Sequence, residues 1–206
     1  MSTQLLRRYT PDEYLNAERE ATYRSQYVDG RIFAMAGASP AHSLIAVNAG
    51  AELRAALKPT PCRVFSSDLR IKAGAADFFT YPDLTVICGG IQYADSRRPE
   101  TATNPRLIVE ILSDSTECFD RGDKSEYYRQ IPSLQEYVLI QQKRPQIESF
   151  LRQQDGEQWT LTVAKGVDAR LELKSIGATI SLAEIYEYVE FPTEPILTDA
   201  TAPGND

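Results

Sequence analysis

"PRLIVEILSDST", residues 105–116, is the most informative segment of the chain for its architecture. Leu107, Ile108 and Val109, then Ile111 and Leu112, form an apolar run with no wet side. That is the pattern of a strand covered on both faces. Glu110 interrupts it. A carboxylate carried into such a strand is costly unless something pairs with it. The run therefore predicts a layered α/β domain, and its single acid asks for a partner.

On the C-terminal side a polar loop leads to a helix, predicted from Arg121 or Lys124 to Gln130 and stopped by Pro132. The next strand is "EYVLI", 136–140. On the N-terminal side "LTVIC" (84–88) reads as a short buried strand entered through Tyr81-Pro82-Asp83. Residues 89–105 read as a surface connection, 62–72 as one strand, and "AGAAD" (73–77) as a turn or loop. Ser39-Pro40 opens a longer helix in which Ile45, Ala49, Leu53 and Leu57 make one buried stripe. Asp29-Gly30 signals a tight hairpin, and Thr10-Pro11-Asp12-Glu13 a capped helix start running to about Arg19. Downstream, 146–152, 158–164 and 170–174 read as an antiparallel meander, and Ser181-Leu182-Ala183-Glu184 as a capping box. The helix it opens would turn Leu182, Ile185 and Val189 inward. One domain over 1–191, followed by a loose acidic and Pro-rich tail over 192–206, is the economical reading.

A hydrophobic share of 42% and a charged share of 25% suit a soluble globular chain of 206 residues. No apolar run is long enough to cross a bilayer, so no membrane partner is expected. "MSTQLLRRYTPDEY" lacks the apolar core of a secretory signal. Cys62, Cys88 and Cys118 are odd in number and have no CxxC spacing, which favours reduced thiols and a cytoplasmic setting. The net charge of −7 argues against a polyanionic partner, but six of the 29 acids lie beyond Lys174, the last basic residue. The first 174 residues carry 22 basic against 23 acidic side chains. A nucleic-acid partner stays open, while a strong non-specific grip on duplex DNA is not expected.

Asp83, Glu110 and Lys124 are placed oddly for surface residues. If the strands at 84–88 and 107–112 are neighbours, their two carboxylates converge at one end of the sheet. They would then repel and raise each other's pKa unless a cation intervenes. A hard dication such as Mg²⁺ resolves the conflict, with Lys124 orienting a water or stabilising developing charge. The plainer reading is a buried pair of Glu110 with Lys124 or an Arg, with Asp83 capping a turn and Asp120 making an ordinary i,i+4 pair with Lys124.

A resemblance sharpens this. "YPDLTVICG" and "NPRLIVEILSDSTECFDRGDKSEYYRQIPSLQEYVLI" resemble the Uma2 family, as do "YVDGRIFAMAGASPAHSLIAVNAGAELRAAL" upstream and "LAEIYE" downstream, over about 20–190. That family is grouped with the PD-(D/E)xK nucleases. The resemblance implies a restriction endonuclease-like α/β fold, a central mixed sheet flanked by helices, here extended by C-terminal antiparallel strands. It implies a nuclease acting on nucleic acid, with DNA as the expected substrate. It implies Mg²⁺ or Mn²⁺ held by Asp83, Glu110 and the backbone carbonyl of Ile111, and Lys124 replacing the usual lysine, since Leu112 occupies that place. It also implies a homodimer, because cutting both strands needs two sites. Gln26 stands where relatives commonly have Glu, which favours the alternative of a weak or inactive nuclease-fold protein serving as a binding or regulatory module. His42, Asp68 and Asp120 are, with Gln26, the further accessory candidates. Arg121 and Arg129 would meet phosphates or form a solvated helix face. Trp159 reads as core rather than as a base-stacking platform.

Overall fold

The computed structural model describes residues 7–73 and 77–192. The loose tail therefore falls outside the described residues beyond Pro192, as does the middle of the 73–77 turn. Helix α1 (Pro11–Glu20) begins with the expected reciprocal capping box between Thr10 and Glu13. Strands β1 (Ser25–Val28) and β2 (Arg31–Ala34) form the hairpin, turning through Asp29 and Gly30 at φ 46° and 85°. Helix α2 (Pro40–Ala56) buries Ile45, Ala49 and Leu53 on one stripe.

The apolar run becomes β8 (Leu107–Leu112), every residue buried. It lies inside a six-stranded mixed sheet ordered β11-β10-β9-β8-β6-β3. The members are β3 (Cys62–Ser66), β6 (Leu84–Cys88), β9 (Glu136–Gln141), β10 (Gln146–Arg152) and β11 (Trp159–Lys165). Only β8 and β9 are parallel; the remaining neighbours are antiparallel. Alternation along β8 feeds two cores. Leu107, Val109 and Ile111 join the cluster under α2, whereas Ile108 and Leu112 join the opposite one with Tyr128 and Tyr137. By the same period Glu110 faces the second core.

Several expected elements are redrawn. The predicted strand 62–72 is two strands split by a turn, since β4 (Arg70–Lys72) leaves the large sheet. It enters a five-stranded sheet ordered β2-β1-β5-β4-β7, with β5 (Phe78–Thr80) and β7 (Thr101–Ala102). The connection 89–105 therefore contains a strand. The meander stops at β11: β12 (Arg170–Leu173) pairs instead with β13 (Ala178–Ser181). The last helix, α5 (Leu182–Ile185), is a single turn with no side-chain cap from Ser181, although Leu182 and Ile185 are buried. The helix expected at 121–130 starts earlier and is broken, as α3 (Glu117–Arg121) and α4 (Asp123–Arg129). Gly122 makes the break at φ −98°, ψ −113°, and a Cβ there would come within 3.0 Å of the Cys118 carbonyl. The thiols are also corrected: Cys62 and Cys88 are joined, because the antiparallel register of β3 and β6 sets them directly opposite one another. Cys118 is free and exposed. No helix among the described residues is long and apolar enough to cross a membrane.

Candidate active site

Register brings the first two acids together. The last β6–β8 pair is Leu84 with Val109, so Asp83 stands one step further on, across from Glu110. Its Oδ2 accepts the backbone N–H of Ile111 at 2.7 Å, which pins it to β8 just where β6 stops pairing. His42 enters from the first turn of α2, where the Ser39 side chain accepts its backbone N–H. Its Nε2 lies 3.2 Å from the same Asp83 oxygen, and its buried Nδ1 has no partner among the described residues. Burial works against the imidazolium, but the Asp83 hydrogen bond and the charges of Asp83, Glu110 and Asp120 outweigh it and hold the His42 pKa above its ordinary value.

The kink at Gly122 brings α3 and α4 over Glu110. Lys124 Nζ lies 2.8 Å from Glu110 Oε1 and 2.9 Å from Asp120 Oδ1. Glu110, Asp120 and Lys124 are 4%, 2% and 6% exposed, so this ion cluster sits in a low-dielectric place. Tyr128, one helical turn beyond Lys124, donates its hydroxyl to Glu110 Oε1 at 2.6 Å. Burial raises that phenol well above its ordinary pKa, so it remains a donor. Tyr137 donates to the backbone carbonyl of Asp120 at 3.0 Å.

Glu110 and Asp120 therefore share one ammonium, and Asp83 stands across the strand from Glu110, against His42. Burial, first of all, pushes the Glu110 carboxyl up to about 8; Asp120 and Asp83 push the same way, against the pull of Lys124. Burial also disfavours the Lys124 charge, yet Glu110 and Asp120 more than offset it and raise its pKa. Fully ionised, the three acids would outnumber the cations that Lys124 and a protonated His42 supply, and in the metal-free chain a proton on Glu110 takes up that surplus near neutral pH.

That surplus is what a divalent ion would remove. Among the described residues no three His, Cys, Asp or Glu side chains form a ready-made metal cluster. Two carboxylates with a backbone carbonyl and waters is a different donor set, and one that suits Mg²⁺. The oxygens for it are present: Asp83 and Glu110 each engage protein donors through one oxygen, leaving Asp83 Oδ1 and Glu110 Oε2 free of hydrogen bonds among the described residues. Ile111 lies past the last β6 pair, so its carbonyl has no β6 partner.

The other candidates lie elsewhere. Gln26 is on β1 and lines a neighbouring cavity, with no bond to these acids among the described residues. Asp68 is in the exposed turn that splits the predicted 62–72 strand. It pairs with Arg24 and accepts from Ser66 Oγ, so it is no member of the site. Arg121 is committed to Glu148, at 2.6 and 3.0 Å, and to Glu117, at 2.8 Å. Arg129 stacks over Trp159, which is only partly buried, against the second core. Tyr128 and Tyr137 escaped the sequence reading. For Tyr128 a signal existed, since the i,i+4 spacing from Lys124 puts both on one helix face.

The model of the Uma2 family, described as "Putative restriction endonuclease", matches residues 11–183. The chain belongs to the Uma2 family. Two relatives from Synechocystis sp. support the assignment. "Uncharacterized protein slr1290" is 36% identical over 182 residues, 88% of this chain and 93% of that protein. "Uncharacterized protein sll1609" is 36% identical over 163 residues, 79% of this chain and 91% of that one. Among solved structures, the crystal structure of "a putative nuclease belonging to DUF820" from Anabaena variabilis superposes with a TM-score of 0.69 at 20% identity. It covers 88% of this chain and 99% of that one. The restriction endonuclease-like α/β architecture is thus the fold of this Uma2 protein, and the family description supports a nuclease in general terms.

Proposed function

We propose that this Uma2 protein hydrolyses phosphodiester bonds in nucleic acid, with DNA as substrate. The observation that carries the reading is the buried cluster of Glu110 and Asp120 around Lys124, with Asp83 set across from Glu110 where the β6–β8 pairing ends. Asp83, Glu110 and the Ile111 carbonyl would hold Mg²⁺ or Mn²⁺, which supplies charge neutralisation at the phosphate and an acidified water. Lys124 is the catalytic residue among the chain's own cations, orienting the attacking water and countering charge that builds on the phosphate oxygens. Asp120 positions Lys124, Tyr128 positions Glu110, and His42 positions Asp83.

Cutting a duplex calls for two sites, so the working form is a homodimer. The exposed Leu161 and Val163 on edge strand β11 support a self-pairing surface. A rival reading, a binding or regulatory module without chemistry, draws on the uncharged Gln26 and on Lys124 being already held by two acids. Purified protein with Mn²⁺, assayed on plasmid and single-stranded DNA with and without EDTA, decides between them. Cleavage that needs the metal and drops by on the order of 10²–10³ in Lys124→Met sustains the enzyme. Absence of metal-dependent cutting by a folded, homogeneous sample hands the reading to the rival.

A further inference from the structure

The hairpin and the α3–α4 segment enclose a cavity of about 550 Å³ that none of the roles above uses. Its walls include Gln26, Arg31 and Phe33 from the hairpin, and Phe119 and Asp123 from the segment that also carries Asp120 and Lys124. Phe119 and Asp123 are the chain neighbours of Asp120 and Lys124, so one wall of the cavity and the ion cluster are built from the same segment.

The chemistry of the lining narrows what fits. Arg8 and Arg31 are balanced by Asp29 and Asp123, so the cavity has no net positive charge with which to trap a phosphate alone. Arg8 and Asp29 are also committed: Arg8 donates to the Asp29 carbonyl at 3.2 Å, and the Asp29 carboxylate accepts from Tyr127 at 2.7 Å. The side chains of Gln26, Arg31 and Asp123 have no such partner among the described residues. An amide with both donor and acceptor faces, a carboxylate acceptor and a guanidinium thus border two aromatic rings. Phe33 is 44% exposed, a large apolar face left to water in a short strand. Aromatic faces with amide and carboxylate groups are what read an unstacked base, and a volume of this order suits one small ligand rather than a duplex.

We propose that this cavity receives one unstacked nucleobase of the strand being cut, with Phe33 as its stacking face. Gln26 and Asp123 read the base edge, and Arg31 holds the adjoining phosphate. The neutral amide that weakens Gln26 as a metal ligand is well suited to this task. The inference rests on the nuclease reading for the identity of the strand, and deepens it. The site takes single-stranded or locally opened DNA, and the unstacking energy becomes part of selectivity.

The test measures binding without cutting. Fluorescence anisotropy in EDTA would follow a labelled thymidine dodecamer and a fully abasic dodecamer of equal charge. Phe33→Ala is expected to weaken the thymidine strand by on the order of tenfold and leave the abasic strand unchanged. Phe33→Trp should restore the affinity, which a merely structural role for the ring does not predict. Arg31→Gln should weaken both strands and flatten the salt slope by roughly 0.7. Equal binding of the two strands by the native protein, or equal binding of the thymidine strand by Phe33→Ala, overturns the inference even if Mn²⁺-dependent cleavage is present. A Phe33-dependent preference for the thymidine strand without any cleavage keeps the base site and removes the nuclease.

Discussion

Glu110 and Glu148 occupy one row of the large sheet, each directly beside Leu139 on β9 and facing the same core. Both meet a base from the α3–α4 segment, yet the two acids are in opposite electrostatic conditions. Glu148 accepts two bonds from Arg121 and one from Gln146, and its pKa is lowered, with the Arg121 hydrogen bond the leading cause. Glu110 is buried, shares a single ammonium with Asp120 and has Asp83 across the strand, so burial first and the two acids after it raise its pKa against the pull of Lys124. The first is a completed ion pair, and its geometry accounts for all of its charge. The second is incomplete in the protein alone, which is how a site differs from a strut.

Neutralising each acid in turn should break that comparison most sharply. Glu110→Gln is expected to cut nuclease activity by on the order of 10²–10³ while leaving the metal-free protein as stable as before, or more stable, because it removes a buried carboxyl that must take up a proton on folding near neutral pH. Glu148→Gln should do the reverse. Thermal unfolding would show a loss of about 1–2 kcal/mol, moderated because Arg121 is partly solvated, with activity per folded molecule retained. If both variants lose stability alike and activity alike, the distinction between site and strut is wrong.

Metal addition sharpens the same contrast at a smaller scale. Saturation at a hundredfold excess over Kd stabilises a single-site protein by about 2.7 kcal/mol. Mn²⁺ should therefore raise the Tm of the native chain and of Glu148→Gln, and should not raise that of Asp83→Asn or Glu110→Gln. Manganese stabilising all four equally would place the ion elsewhere.

The legible parts of this molecule were those written in local periodicity. Glu110 betrayed itself by interrupting an apolar run, and the capping box at Thr10 and the Asp29-Gly30 turn are chemical signatures within four residues. What stayed hidden depends on long-range pairing. Phe78–Thr80 and Thr101–Ala102 are too short to carry a period, and β4 finds its parallel partner β7 some thirty residues away. The Cys62–Cys88 link follows from register, which spacing cannot supply. Around Glu110, two geometric expectations from the sequence are met. The acid does pair with Lys124, and Asp83 does arrive across the strand. Spacing alone could not count charges, because Asp120 looked like half of a surface i,i+4 pair, and the kink that buries it lies at Gly122.

The smallest predicted effect is a pair of opposed pH slopes. Glu148 and Glu117 titrate lower in the folded chain than the ordinary carboxyl value of 4.5, with Arg121 bonding as the leading cause for each. The unfolded chain then binds more protons in that window, so their contribution is intact above it and fades as pH falls through the depressed values. Glu110 has the contrary sign. Its folded value near 8 means that the native state binds the extra proton between about 4.5 and 8, so metal-free stability declines as pH rises across that interval. Denaturant titrations from pH 3 to 9 in EDTA should show both limbs. Glu110→Gln should remove the neutral limb and spare the acid one, whereas Arg121→Gln should do the opposite. A Glu110→Gln profile that still falls between pH 5 and 8 would mean that another group carries the surplus proton. The asymmetry between the two ends of the row would then need a different cause.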